Sequence, residues 1–280
     1  MWGIPLSPPI LPLTKNPDIN DLSWIQTIST LGDRTIETLE KKSNVQAGTD
    51  FENIVKKSLQ FLGFTLDESH KGGAGGLDLF CTKPYAIAGE CKSGKSIPDN
   101  TIEELDRIAK RHLKENYYLA TGLIIGSGEP TKNLKESALA SRVTGGMQIN
   151  IIKAMTLQKL VKLKAKYDGA INLFELKEYL QAGKIDDKIE EYIQKVESEI
   201  KLRSYIVKTV KELQDADSEY PSPIEIRTHY NAKKQGSNLS LDFTKEILIE
   251  LSSPLAGYLG RVKGNGGTGD RFYYLRDLPS

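Results

Sequence analysis

Asp78, Glu90 and Lys92 are the residues of this chain whose types and spacing best suit a reaction. Glu90 and Lys92 stand two apart in the run YAIAGECK, so on a strand both side chains leave the same face. Asp78 lies near the start of the run LDLFCT, and Lys83-Pro84 between the two runs predicts a hairpin. Antiparallel pairing about that turn brings Asp78 beside Glu90, so two carboxylates and an ammonium converge, while Cys91 points to the opposite face and into the core. Hard divalent cations take oxygen ligands, commonly one or two carboxylates, with water and substrate phosphate filling the other positions. A nearby ammonium can orient the attacking water or meet developing charge. The set therefore suits metal-assisted cleavage of a phosphodiester. Glu52, at the start of the helical run FENIVKKSLQFLGF, becomes a fourth member if that helix lies along the sheet. The bland alternative is a set of ordinary strand-end charges paired with one another. Against it, LDLF and AIAGECK are otherwise apolar, and charge inside a buried strand is costly unless it does something.

The elements that must position these residues can be read from periodicity. Residues 1–45 read as an N-terminal arm, extended over its first thirty residues by Pro5, Pro8, Pro9, Pro12 and Pro17, with a short helix at 34–43. A helix follows Thr49-Asp50, with Phe51, Ile54, Val55, Leu59 and Leu62 at helical spacing and Gly63 as its stop. HKGGAGG is a loop and the hairpin comes next. A helix over 99–114 is then capped by Asp99, Asn100 or Thr101, and YLATGLIIG (118–126) has the continuous apolar character of a buried strand. A helix at 131–142, the strand INIIKA and the helix LQKLVKLKAKY complete an α/β (α+β) core over 46–170. From 171 to about 215 the chain reads as helical and acidic, with 171–200 as a connector. Residues 201–280 then run helix, helix, helix and β-hairpin, the order of a winged-helix-like domain.

Bulk properties bound the answer. No apolar run approaches the roughly 18–20 residues that a membrane span needs, and the proline-broken opening does not read as a signal peptide. Two cysteines are too few for a disulfide framework or a zinc site. A cytoplasmic protein without membrane contact is the expectation. The net charge of +1 is low for a nucleic-acid binder. It is unevenly spread, however: 18 basic and 12 acidic residues over 51–166 give +6, and 8 and 13 over 167–220 give −5. This distribution permits DNA binding without demanding it.

The segments FEN (51–53), LGF (62–64), GGLDLF (75–80) and GECKSG (89–94), in this order, resemble the PD-(D/E)xK nuclease superfamily. The Mrr-like restriction endonucleases and the archaeal Holliday-junction resolvases are nearest in style. The resemblance spans roughly residues 46–166 and departs at Leu77, where the family motif has proline. It implies a restriction-endonuclease-like mixed sheet flanked by helices and a Mg²⁺-dependent deoxyribonuclease, with Mn²⁺ able to substitute. It further implies metal ligands at Asp78 and Glu90, with the Cys91 backbone carbonyl as a further ligand. Lys92 would be the catalytic lysine and Glu52 an auxiliary acid. Such enzymes commonly dimerise to cut both strands, so DNA and a second copy of the chain are the expected partners.

Other features carry less. GECKSGKS (89–96) satisfies the pattern of a phosphate-binding loop, but that loop needs a helix starting at its Lys-Ser, and Pro98 biases Ile97 away from helical geometry. Lys71 and Lys95 flank the proposed site and could touch phosphate. In the tail, Arg227, Lys233 and Lys234 from the helices, with Arg261, Lys263 and Arg271 from the hairpin, are the candidate DNA contacts. Asp242, Glu246 and Glu250 on the last helix make an unfriendly face for phosphate. A binding protein that uses the same fold as a DNA-holding or assembly scaffold is the rival from another class.

Overall fold

The computed structural model describes residues 22–67, 76–143, 145–167, 169–233, 238–265 and 269–278. The chain divides into two compact units. One holds the described residues up to 166 together with 171–193, and the other holds 194–278 with 167–170.

The first unit is a six-stranded mixed sheet flanked by helices. Its strands lie side by side in chain order: β1 (Thr65–Leu66), β2 (Leu79–Lys83), β3 (Ile87–Lys92), β4 (Thr121–Gly126), β5 (Ile149–Lys153) and β6 (Gly183–Lys184). Pairing is antiparallel from β1 to β3 and parallel from β3 to β6. The change of direction follows the connections. β2 and β3 are joined by a tight turn, whereas each parallel step needs a long crossover, supplied here by helices. β4 and β5 are buried along almost their whole length, which is why TGLIIG and INII are apolar without alternation.

Two helical layers cover the sheet. Helices α4 (Thr101–Leu113) and α5 (Lys132–Val143) pack through Leu105, Ile108 and Leu134 against Ala88, Ile124 and Ile149. On the other face, α1 (Thr27–Gly32), α3 (Asn44–Leu62) and α6 (Ala154–Lys166) pack on one another, with α3 against β3 and α6 against β5.

Three sequence expectations are corrected here. Residues 22–30 are not extended, for a 3-10 turn at Ser23–Gln26 leads into α1, while the short helix expected at 34–43 is present as α2 (Thr35–Leu39). The prolines stop at Pro17, and beyond them Ile25 and Ile28 recur at helical spacing and are fully buried, while Trp24 meets Phe61 edge-on at 5.7 Å. Helix α3 starts at Asn44, not after Asp50, because Ser43 and Gln46 form a reciprocal capping box. Within the stretch 171–215, α7 (Leu173–Tyr179) and α8 (Asp186–Asp215) are separated by β6, a two-residue strand too short to show any periodicity. It is held by its pairing to Asn150 and Ile151.

The second unit contains the later part of α8, α9 (Pro223–Lys233), α10 (Leu241–Leu251) and the antiparallel hairpin β7 (Leu259–Val262) and β8 (Arg271–Tyr274). Its separate core is built on Val210, Ile226, Leu248, Tyr258 and Phe272. Ser222 and Glu225 form a second capping box at the start of α9, where Pro223 fits the first helical position. Ser240 caps α10 through the Phe243 N–H at 3.2 Å. Among the described residues, no helix is long and apolar enough to cross a membrane.

Gly89 sits where β3 is most tightly enclosed. A Cβ there would meet Leu79 Cδ1 at 2.1 Å and the Leu123 carbonyl oxygen at 2.8 Å. Overpacking of this kind costs typically 1–3 kcal/mol. Gly89→Ala is therefore expected to lower unfolding stability by about 1–3 kcal/mol in chemical denaturation.

Candidate active site

The β2–β3 ladder ends at the Leu79–Gly89 pair, so Asp78 and Glu90 are not ladder partners. β2 leaves the sheet at this point, and the Asp78 side chain takes over from its backbone: Oδ2 accepts the Cys91 N–H at 2.8 Å. A side-chain acceptor thereby satisfies an amide that the departing strand leaves behind. The same bond pins the Asp78 carboxylate next to the end of β3.

Glu90 lies one residue earlier on β3 and is only 3% exposed. By strand alternation it shares a face with Ala88 and Lys92, the face covered by α4. Lys92 Nζ donates to Glu90 Oε2 at 2.9 Å and lies 3.7 Å from Glu104 Oε2 on α4. Burial, followed by the negative charge of Asp78, pushes the Glu90 carboxyl up from 4.5 to about 8, against the opposing pull of Lys92. Burial acts to lower the Lys92 ammonium, but the bond to Glu90 and the charges of Glu90, Asp78 and Glu104 outweigh it and raise it. Lys92 is thus held as a cation. Glu90 is a carboxylate that resists ionising until more positive charge arrives.

Glu52 reaches the group from α3, on the other face of the sheet. Its carboxyl is raised by burial and by Asp78, with Lys56 and Lys92 acting the other way. Lys56 Nζ stands 4.0 Å from its Oε2. Asp78 and Lys92 are therefore each within electrostatic reach of both Glu52 and Glu90. The Cys91 thiol is buried, and burial together with the neighbouring acids keeps it protonated. The contact made at Cys91 is through its amide.

These groups suit a divalent ion. Asp78 adds negative charge beside the desolvated Glu90 carboxyl, and a cation between them would favour the ionised form of Glu90. Among the described residues no group of three or more His, Cys, Asp and Glu could hold a metal ion. Two carboxylates are nonetheless enough for Mg²⁺, which keeps several waters and takes phosphate oxygens as further ligands.

The phosphate-loop pattern lacks its structural partner. After Lys92 the chain turns through Gly94, at φ 111°, and α4 begins only at Thr101. Lys95 and Ser96 lie instead against Gly128, where an added Cβ would be 2.5 Å from the Lys95 carbonyl oxygen. No helix N-terminus stands at Lys95-Ser96 to face a phosphate. The caps expected for α4 are also absent. Asn100 precedes the helix without a side-chain cap bond, Asp99 bonds Thr131, and the Thr101 hydroxyl donates to the Pro98 carbonyl at 2.7 Å.

The other nominated cations fare unevenly. Lys71 and Lys234 lie outside the described residues. Lys95 is exposed. In the second unit, Lys233 pairs with Glu212 at 2.8 Å, Arg261 with Asp270, and Arg271 with Glu225 at 3.2 Å. Arg227 has a buried Nε without a hydrogen-bond partner, and Lys263 is exposed. On α10, Asp242, Phe243, Glu246 and Ile249 face outward. Two residues at the site carried no sequence signal: Glu104, one more acid in the first turn of an amphipathic helix, and Arg34, discussed below.

No protein-family model matches the chain, and no curated protein does. Its likeness to a nuclease superfamily therefore rests on its own residues.

Two outcomes are expected from variants at the site. Asp78→Ala leaves the Cys91 amide without its acceptor and is expected to destabilise by about 1–3 kcal/mol, whereas Asp78→Asn, which keeps an acceptor oxygen, should cost clearly less; denaturant melts of both measure the difference. For Glu90 the folded pKa lies above the unfolded one, so its contribution to stability is full below about 4.5 and is lost as pH rises through about 8. Without divalent ions, Glu90→Gln is therefore expected to melt higher than wild type at pH 8.5, with the gap closing near pH 4.

Proposed function

We propose that this chain is a Mg²⁺-dependent deoxyribonuclease of PD-(D/E)xK type, an endonuclease of the restriction kind that also accepts Mn²⁺. The observation that carries this reading is the meeting of Asp78, a buried Glu90, Lys92 and Glu52 where β2 parts from β3. A structural ion pair would need only Glu90 and Lys92. It would not need a second carboxylate that raises the first. The six-stranded mixed sheet flanked by helices is compatible with a restriction-endonuclease-like core, and three helices followed by a hairpin with a winged-helix-like second unit.

In this reading Asp78 and Glu90 would hold the ion, with the Cys91 carbonyl as a further oxygen donor. When bound, a divalent ion supplies Lewis-acid polarisation of a phosphoryl oxygen and lowers the pKa of a water. Lys92, kept cationic by Glu90 and Glu104, orients the attacking water and meets negative charge that develops on the phosphoryl group. Glu52, partly exposed and reluctant to ionise, helps to hold a second ion or its water. DNA is the substrate, and a second copy of the chain would serve the opposite strand.

Supercoiled plasmid incubated with Mg²⁺ or Mn²⁺ tests this directly. Wild type is expected to nick or linearise it, while Lys92→Ala and Asp78→Asn, folded by their melts, should lose on the order of 10²–10³ in rate. Plasmid, linear and branched DNA all left intact by wild type would sink the catalytic reading and leave a non-catalytic DNA-holding or assembly role.

A further inference from the structure

Arg34 adopts a left-handed backbone conformation, φ 64°, which L side chains rarely take and which persists only where the surroundings enforce it. Its guanidinium holds it there. Nε donates to Ser93 Oγ at 3.1 Å, and Nη1 donates to Asn44 Oδ1 at 2.9 Å. Ser93 is the residue directly after Lys92. The next residue, Gly94, donates its N–H to the Gly32 carbonyl at 2.7 Å, and the place its Cβ would take is 3.4 Å from Arg34 Nε. The guanidinium is thus laid along the segment that leaves β3 immediately past Lys92, where Gly94 takes φ 111°.

Both of its partners are neutral. Among the described residues Arg34 makes no ion pair. The adjacent Asp33 turns away, accepting the Thr35 N–H at 2.9 Å and the Thr35 hydroxyl at 2.6 Å. What remains is a half-buried cation, oriented by two bonds, strained in its backbone, without a counter-charge, and bonded to the residue that follows Lys92. Phosphate oxygens match the planar fork of a guanidinium.

We propose that Arg34 is a substrate-binding residue that takes a DNA backbone phosphate flanking the scissile one. This rests on the nuclease reading given above. It makes α1 and α2 part of the substrate-binding surface, and the strained backbone is the device that aims the side chain.

The test uses Arg34→Gly, which removes the charge while suiting a positive φ, alongside Arg34→Lys, which keeps the charge. Binding of labelled duplex DNA is measured in Ca²⁺ over a series of salt concentrations, with melting temperatures for each protein. Arg34→Gly is expected to melt no lower than wild type, to bind about tenfold more weakly, and to reduce the slope of log K against log salt by about 1. Arg34→Lys should keep the wild-type slope. If Arg34→Gly does not fold, Arg34→Gln, which retains neutral donors for Ser93 and Asn44, replaces it with the same expectation. Wild-type affinity and slope in the uncharged variant would overturn the proposal and make Arg34 a brace alone, leaving the nuclease reading standing. No DNA binding by wild type would overturn both.

Discussion

A carboxylate buried on a central strand is the constraint around which the first unit is organised. Glu90 sits on β3, which is paired with β4 along its whole length and with β2 up to Gly89, and its side chain is 3% exposed, so water has little access to an ionised group there. Desolvation of that kind favours the neutral acid strongly unless positive charge is close. Lys92, two residues on and on the same face, supplies part of that charge, and Glu104 holds the lysine in place. Asp78 works in the opposite direction by adding a second negative charge. A protein built only for stability has little reason to keep that arrangement.

The arrangement depends on where the sheet changes character. β3 is antiparallel to β2 and parallel to β4, and β2 departs just where the parallel strands reach their carboxyl ends. Lys92, Gly126 and Lys153 end in register along that edge. Open α/β sheets bind ligands outside the carboxyl ends of their strands, where loops diverge and leave room. Here the departure of β2 frees one amide, Asp78 caps it, and the cap doubles as a site carboxylate. One bond thus finishes the strand and fixes the chemistry. Gly89 lets Leu79 and β4 close on the strand one residue before Glu90.

The second unit distributes its charge differently. Its cations are largely answered by its own acids, as in the pairs Lys233–Glu212, Arg261–Asp270 and Arg271–Glu225. Such exposed pairs hold weakly and can exchange partners. The outward face of α10 sets Asp242 and Glu246 beside Phe243 and Ile249, and its exposed Lys245 is paired with Asp242 at 3.6 Å.

Much of this molecule is written locally. The apolar runs of β4 and β5, the alternation that sets Glu90 and Lys92 on one face, the helical spacing of α3 and α6, and the turn at Lys83-Pro84 follow from short-range pattern. They were enough to bring Asp78, Glu90 and Lys92 together on paper, because a hairpin is a local structure with its register set by its turn. Other features were not legible. β6 has two residues and exists only because β5 offers an edge. The turn and helix at 23–32 form because Ile25 and Ile28 find a core shared with α3 and with α6, which lies far along the chain. Asp78 bonds an amide instead of pairing in the ladder, a choice set by where β2 leaves the sheet. Arg34 reaches Ser93 across 59 residues and Asn44 across 10, and nothing in its neighbours announces either bond. The sequence by itself determined which residue types could share a face, since periodicity is a property of neighbouring peptides. The tertiary structure alone decided how deeply Glu90 is buried and which charges surround it, because desolvation depends on everything packed against a residue from elsewhere in the chain.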